Sequence, residues 1–428
     1  MASAAAILAD NDEAAVIVAY QAICKPSVAE RLLSNHGCNI YCAAQQPYCR
    51  GRVTGYAANP ARHLESLMRS LSDTLERLAR LRAVKPATPT GSILEKLDHF
   101  GTNPGALAAW QHVPQQLPAS PALVVVLHGC TQTAAGYDTG SGWSALAEDY
   151  GFVLLFPEQT RQNNANLCFN WFNAADTQRD RGEAMSIRQM IATVVAERGI
   201  DERRIYITGL SAGGAMANAM LACYPEIFAG GAIIAGLPYA AASTVPEAFD
   251  RMRGHGLPGT GSLQASLRDA SHHDGVWPTV SVWQGTSDNT VVPDNAAAIV
   301  AQWQGVHAVH EQPSQVETIG RNLRSVWRDD RGLEAIELYT ISGMAHGTPI
   351  DPSSGYGRAA PFMVDVGVSS TEQIARNWGL AASFERRDRP TAAPSQEGTT
   401  MQHPSSDGAH NGIQSIIENA LRSAGLMK

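Results

Sequence analysis

The sequence predicts an α/β chain: a mostly parallel sheet with helices on both faces. Three observations predict it. Of the 428 residues, 44% are hydrophobic and 17% charged, enough apolar material for a sizeable core and far from the profile of a disordered chain. From about His99 to Phe384, short apolar runs alternate with helical stretches. The runs are nearly unbroken rather than alternating, the pattern of strands buried on both faces of a parallel sheet.

Taken in order, residues 1–95 form a helical and irregular N-terminal extension. Leu64, Leu67, Met68, Leu71, Leu75, Leu78 and Leu81 recur at steps of three and four and draw one apolar stripe down a helix from about Ala61 to Val84. Such a helix packs on the main domain, pairs with a second copy, or binds a surface. Pro86, Pro89 and Gly91 end it. Residues 96–385 are the predicted catalytic domain. Its strands are Ala122 to Leu127, Phe152 to Phe156, Ile205 to Thr208, Phe228 to Ala235, Thr279 to Trp283 and Ala335 to Ile341, with Gly182 to Arg198 and Ala212 to Cys223 among the helices between them. Residues 386–428 read as a flexible tail, rich in Pro, Ser, Thr and Gly to about His410. A short amphipathic helix marked by Ile413, Ile416, Ile417, Leu421 and Leu426 ends it, docked on its own domain or on a hydrophobic particle or partner.

Charge and cysteine content exclude several classes. Lys plus Arg total 32 against 40 Asp plus Glu, a net charge of −8, which leaves no broad basic surface for nucleic acid. Apolar stretches such as Ala14 to Tyr20 fall far short of the roughly 18 residues a membrane span needs. Asp10, Asp12 and Glu13 precede that stretch where a secretory signal would carry basic residues, so a cytoplasmic location is expected, or a secreted one if the true start lies elsewhere. The seven cysteines are odd in number and spread too widely for a disulfide scaffold. Cys24, Cys38, Cys42 and Cys49 lie near His36, but the intervals of thirteen, three and six residues match no zinc pattern. No metal or cofactor is expected.

The chemistry is concentrated after the strands. Ile205 to Thr208 runs into Gly209-Leu210-Ser211-Ala212-Gly213 and a small-residue helix. This is the G-x-S-x-G elbow in the strand–turn–helix context that presents a nucleophilic serine. A serine needs a base, and the base needs an acid to hold its tautomer. In α/β-hydrolases these follow as Asp or Glu, then His, each after a later strand. Asp288 follows the strand ending at Trp283, and His346 follows the strand ending at Ile341. Asp294, six residues on, is expected instead to cap a helix from Asn295 to Trp303.

The oxyanion of an acyl-transfer intermediate needs two N–H donors, one from the residue after the nucleophile and one from the loop after an early strand. These are Ala212 and, in His128-Gly129-Cys130-Thr131-Gln132, Cys130. His128 is expected to support that loop. The residues point to a serine esterase working through an acyl-enzyme. The same triad also serves acyltransferases and thioesterases, and a granule-associated scaffold that retains the fold without turnover is the reading from a different class.

The segments Leu127 to Thr133, Asn166 to Phe172, Gly209 to Met216 and Ser342 to Gly347 together resemble the poly(3-hydroxybutyrate) depolymerase family of esterases, over about residues 98–385. The resemblance implies an α/β-hydrolase fold, a triad of Ser211, Asp288 and His346, and an oxyanion hole of Cys130 and Ala212. It implies short-chain polyhydroxyalkanoate or its oligomers as substrate, with acetylated or feruloylated polysaccharides and small aryl esters as alternatives. It places Trp171 beside the crevice, as a wall of the acyl site or as core. It leaves Cys130 and Cys168 either paired or free. Secreted depolymerases of this kind usually carry a signal peptide and a polymer-binding domain. Neither is legible here, so amorphous polymer, oligomers or small esters are expected rather than crystalline polymer.

Overall fold

A computed structural model describes residues 93–381. The predicted helix at 61–84, the cysteines of the first fifty residues and the tail from 386 lie outside the described residues.

All six strands read from the sequence are present and adjacent. The main sheet contains β1 (Glu95–Lys96), β2 (Ala108–His112), β3 (Leu123–Leu127), β4 (Val153–Glu158), β5 (Ile205–Leu210), β6 (Gly230–Ile234), β7 (Thr279–Gly285), β8 (Gln315–Ile319), β9 (Asn322–Arg328) and β10 (Glu334–Ile341). Their order is β1-β2-β4-β3-β5-β6-β7-β10-β9-β8. The six central strands, β4-β3-β5-β6-β7-β10 in sheet order, pair in parallel, and two antiparallel strands extend each edge. The edge strands are the ones the sequence does not announce. β8, for instance, is mostly exposed and carries polar residues at three of its five positions, so it lacks the unbroken apolar run of a doubly covered strand.

Helices cover the two faces as the alternation of strand side chains requires. Leu123, Val125 and Leu127 of β3 enter one core with residues of α4 (Gly182–Arg198), α5 (Ala212–Cys223) and α8 (Asp294–His307). Val124 and Val126 enter the opposite core with α1 (Ala134–Ser141), α2 (Trp143–Tyr150) and α9 (Ser370–Asn377). Three further helices are α3 (Ala174–Thr177), α6 (Val245–Met252) and α7 (Thr260–Asp269). The span of α4 matches its sequence reading: Arg198 in its last turn complements the helix dipole, and Gly199, at φ 61°, stops it.

The order of strands decides where chemistry can occur. From β3 the chain moves outward to β4, then returns to place β5 on the other side of β3. The crevice at this reversal, beyond the carboxyl ends of β3 and β5, is where open α/β sheets bind ligands. Among the described residues no helix is long and apolar enough to cross a membrane.

Candidate active site

Ser211 stands at the carboxyl end of β5 with φ 56° and ψ −117°, a conformation that costs a non-glycine residue about 1–3 kcal/mol. Its neighbours make that turn possible. A Cβ on Gly209 would lie 2.4 Å from the Gly213 carbonyl oxygen, and one on Gly213 would lie 2.4 Å from that of His128. Gly213 thus lets α5 begin against the end of β3, which brings Ser211 beside the 128–132 loop. The Ser211 N–H donates to the Ile234 carbonyl at 2.9 Å, which fixes the turn to β6. Ser211 is buried, at 6% exposure.

Asp288 and His346 come from the loops after β7 and β10, which are parallel neighbours. Their loops are laced together, since Ser287 N–H donates to the Met344 carbonyl at 3.0 Å. His346 Nδ1 and Asp288 Oδ2 are 2.7 Å apart, and both residues are buried. Asp288 is held from both sides. Its Oδ1 accepts the N–H groups of Thr290 and Val291, each at 2.9 Å, and its Oδ2 accepts Gln284 Nε2 at 3.2 Å. With three donors already on the Asp288 oxygens, the hydrogen-bonding complement is an Nδ1–H on His346, the tautomer that leaves Nε2 as the acceptor. Among the described residues the Ser211 hydroxyl itself makes no hydrogen bond; nucleophile–base contacts commonly tighten when substrate binds.

Asp294 is exposed and lies inside α8, as its first residue. This corrects the expected cap: Pro293 occupies the cap position without a side-chain bond, and the Asp294 charge meets the helix dipole one residue further on.

The N–H groups of Cys130 and Ala212 find no protein acceptor among the described residues, and Ala212 opens α5 at its positive end. The loop bearing Cys130 is shaped by Gly129 N–H donating to Gln132 Oε1 at 2.8 Å and Thr131 N–H donating to the Asn166 carbonyl at 2.7 Å. Cys130 and Cys168 are joined as a disulfide, while Cys223 is a free, buried thiol. Trp171 packs edge-on against Phe172, with 5.7 Å between ring centroids, and lines the cleft in front of Ser211.

Sequence reasoning missed the polar support beneath this loop. Glu183, fully buried at the start of α4, accepts Gln159 Nε2 at 2.6 Å, Asn163 Nδ2 at 3.1 Å and Asn170 N–H at 2.9 Å. Burial, reinforced by the Asp176 charge, pushes its carboxyl up to about 8. Gln159 in turn donates to the Cys168 carbonyl, and its own N–H donates to His128 Nε2 at 3.1 Å. His128 Nδ1 lies 2.8 Å from the Gly129 carbonyl, so both ring nitrogens serve structure, as expected of it. Burial lowers this imidazole to about 4. The one sequence signal for Glu183 was an acid at the first turn of a helix, which reads equally well as dipole compensation.

This fold and this constellation of residues are those of an α/β-hydrolase that cleaves carboxylic esters. The sequence model described as Esterase PHB depolymerase matches residues 113–312. The chain is 43% identical over 295 residues to poly(3-hydroxyalkanoate) depolymerase C of Paucimonas lemoignei, covering 67% of this chain and 70% of that protein. It therefore belongs to the esterase PHB depolymerase family. Feruloyl esterase B of Talaromyces funiculosus is 29% identical over 269 residues, 61% of this chain and 74% of that one. The solved acetyl xylan esterase from Aspergillus awamori shares the fold at a TM-score of 0.58 and 23% identity, covering 67% of this chain and 99% of its own.

Proposed function

We propose that Ser211 is the nucleophile of this esterase, His346 its general base and Asp288 the group that orients the imidazole. The observation that carries the reading is the 2.7 Å contact of His346 with a donor-saturated Asp288 at the same sheet end as the strained Ser211. Ser211 Oγ attacks the ester carbonyl and passes its proton to His346 Nε2, which hands it to the departing alcohol. The N–H groups of Cys130 and Ala212 receive the carbonyl oxygen as it becomes an oxyanion. Water, deprotonated by His346, then releases the acid from Ser211.

The substrate we propose is a short-chain polyhydroxyalkanoate or its oligomers, supported by the 43% identity to a poly(3-hydroxyalkanoate) depolymerase. Attachment to polymer granules through the apolar positions 413–426 belongs to the same reading, and sedimentation with amorphous granules tests it. The Cys130–Cys168 bridge favours an oxidising working compartment over the cytoplasm. The deciding experiment compares release of 3-hydroxybutyrate from amorphous poly(3-hydroxybutyrate) by the wild type and by Ser211→Ala. Release lost in the variant supports nucleophile and substrate together. Absence of release with p-nitrophenyl butyrate still cleaved moves the substrate to acetylated, aryl or other small esters, and equal activity in Ser211→Ala overturns the nucleophile.

A further inference from the structure

The connection between β6 and β7 folds over the site, and its first helix is built to close a cleft. In α6 the apolar residues Val245, Ala248, Phe249 and Met252 fall at steps of three and four, one stripe on one face, while Pro246 and Asp250 are exposed. Val245, Ala248 and Met252, with Leu237, Trp171 and Phe172, line the cleft in front of Ser211. The Cys130–Cys168 bridge and Ala212 complete its wall, so Ser211 is the one hydroxyl-bearing side chain in it. Its cavity volume is about 20 Å³, little more than a water's worth of space.

The carboxyl end of α6 is fastened in place. Asn295 Nδ2 donates to the carbonyl oxygens of Arg251 at 2.8 Å and Met252 at 3.3 Å, and Val292 N–H donates to the Met252 carbonyl at 2.9 Å. Met252 therefore combines a backbone tied to the Asp288 loop with a flexible thioether side chain that fills whatever gap remains. The residues whose N–H groups receive the oxyanion also form the cleft wall. A carbonyl seated on them therefore lies in the same cleft as the apolar face of α6. Sugar hydroxyls entering there would lose water without gaining partners, whereas an alkyl group loses nothing.

We propose that α6 is the chain-length gate of the ester site, with Met252 as the principal stop and Val245 as the second. The cleft takes the alkyl part of the acyl unit, admits short chains, and rejects long and aryl ones. The inference rests on the reading that Ser211 attacks an ester. The test measures kcat/KM of the full chain for p-nitrophenyl acetate, butyrate, hexanoate and octanoate and for methyl ferulate. Wild type should favour acetate and butyrate over hexanoate by about tenfold or more, and methyl ferulate should be poorer still. Met252→Ala should raise the hexanoate-to-acetate ratio about tenfold, and Val245→Phe should lower the butyrate-to-acetate ratio by a similar factor. One variant empties the cleft and the other fills it, so each decides where the other fails to fold; Met252→Leu, nearly volume-conserving, is the third arm. Ratios that stay at the wild-type value in folded Met252→Ala and Val245→Phe, or a Met252→Leu ratio that moves as far as that of Met252→Ala, overturn the gate, as does a wild type that cleaves octanoate as well as acetate. Cleavage that persists undiminished in Ser211→Ala, or no cleavage of any of these esters by wild type, overturns the underlying ester reading instead.

Discussion

The two halves of the site are held by different physics. On the β7–β10 side, Asp288 and His346 are positioned by side-chain hydrogen bonds: three donors around one carboxylate, plus the imidazole that carboxylate orients. On the β3–β5 side, Ser211 and the Cys130 loop are positioned by backbone: a left-handed φ, glycines where a Cβ would meet carbonyl oxygens, and a covalent bridge. The two halves therefore tolerate different substitutions. The first half tolerates little change of side-chain chemistry. The second tolerates little change of shape, because the N–H groups it presents, proposed as oxyanion donors, are main-chain groups that no substitution other than Pro removes.

The largest expected effect breaks the first half alone. Asp288→Asn should lower kcat by about 10⁴-fold while the chain stays folded, because the neutral amide favours the wrong imidazole tautomer. Steady-state kinetics beside circular dichroism check it, and a loss below tenfold would remove Asp288 from its proposed role. On the other half, replacing both Cys130 and Cys168 by Ser should cost about 4 kcal/mol of stability, the chain-entropy expectation for a separation of 38 residues. Urea unfolding measures this, and an unchanged midpoint would show that the bridge constrains little. Gly213→Ala should cost about 3 kcal/mol and depress activity with it, because its methyl group meets the backbone of β3 and α5 can no longer start there. Activity retained at full level would detach the Ser211 turn from that close approach.

The smallest effect is a pH dependence in the support of the Cys130 loop. His128 is held neutral down to about 4, against 6.5 for an ordinary histidine. Between those values the unfolded chain binds a proton that the folded chain refuses, so stability is present above pH 6.5 and is lost as pH falls toward 4. From pH 6.5 to 5 the loss is on the order of 2 kcal/mol. Glu183, raised to about 8, contributes the opposite slope between 4.5 and 8, so the informative quantity is the difference between wild type and His128→Asn. That difference should shrink as pH falls; one that stays constant would mean that the charge of His128 is irrelevant to folding.

What could be read from the sequence is what adjacent residues decide among themselves. The strand Ile205–Leu210, the turn at Ser211 and the helix Ala212–Cys223 are consecutive, and each imposes a local backbone demand that only certain residues meet. Asp288 and His346 were legible because each follows an apolar strand in the order such sheets require. Even there a local ambiguity misled, since Asp294 is acceptable both as a cap and one position inside its helix.

The tertiary structure decided what depends on residues far apart in the chain. It paired Cys130 with Cys168 where the sequence left both states open, and it put Glu183 under the loop that its helix does not adjoin in sequence. It also laid the stripe of Val245, Ala248 and Met252 along the cleft in front of Ser211. The reason is the same in each case. A turn or a helix end is selected by sterics within a few residues, whereas a pocket wall is selected by how separate elements settle on the sheet, and no local pattern encodes that distance.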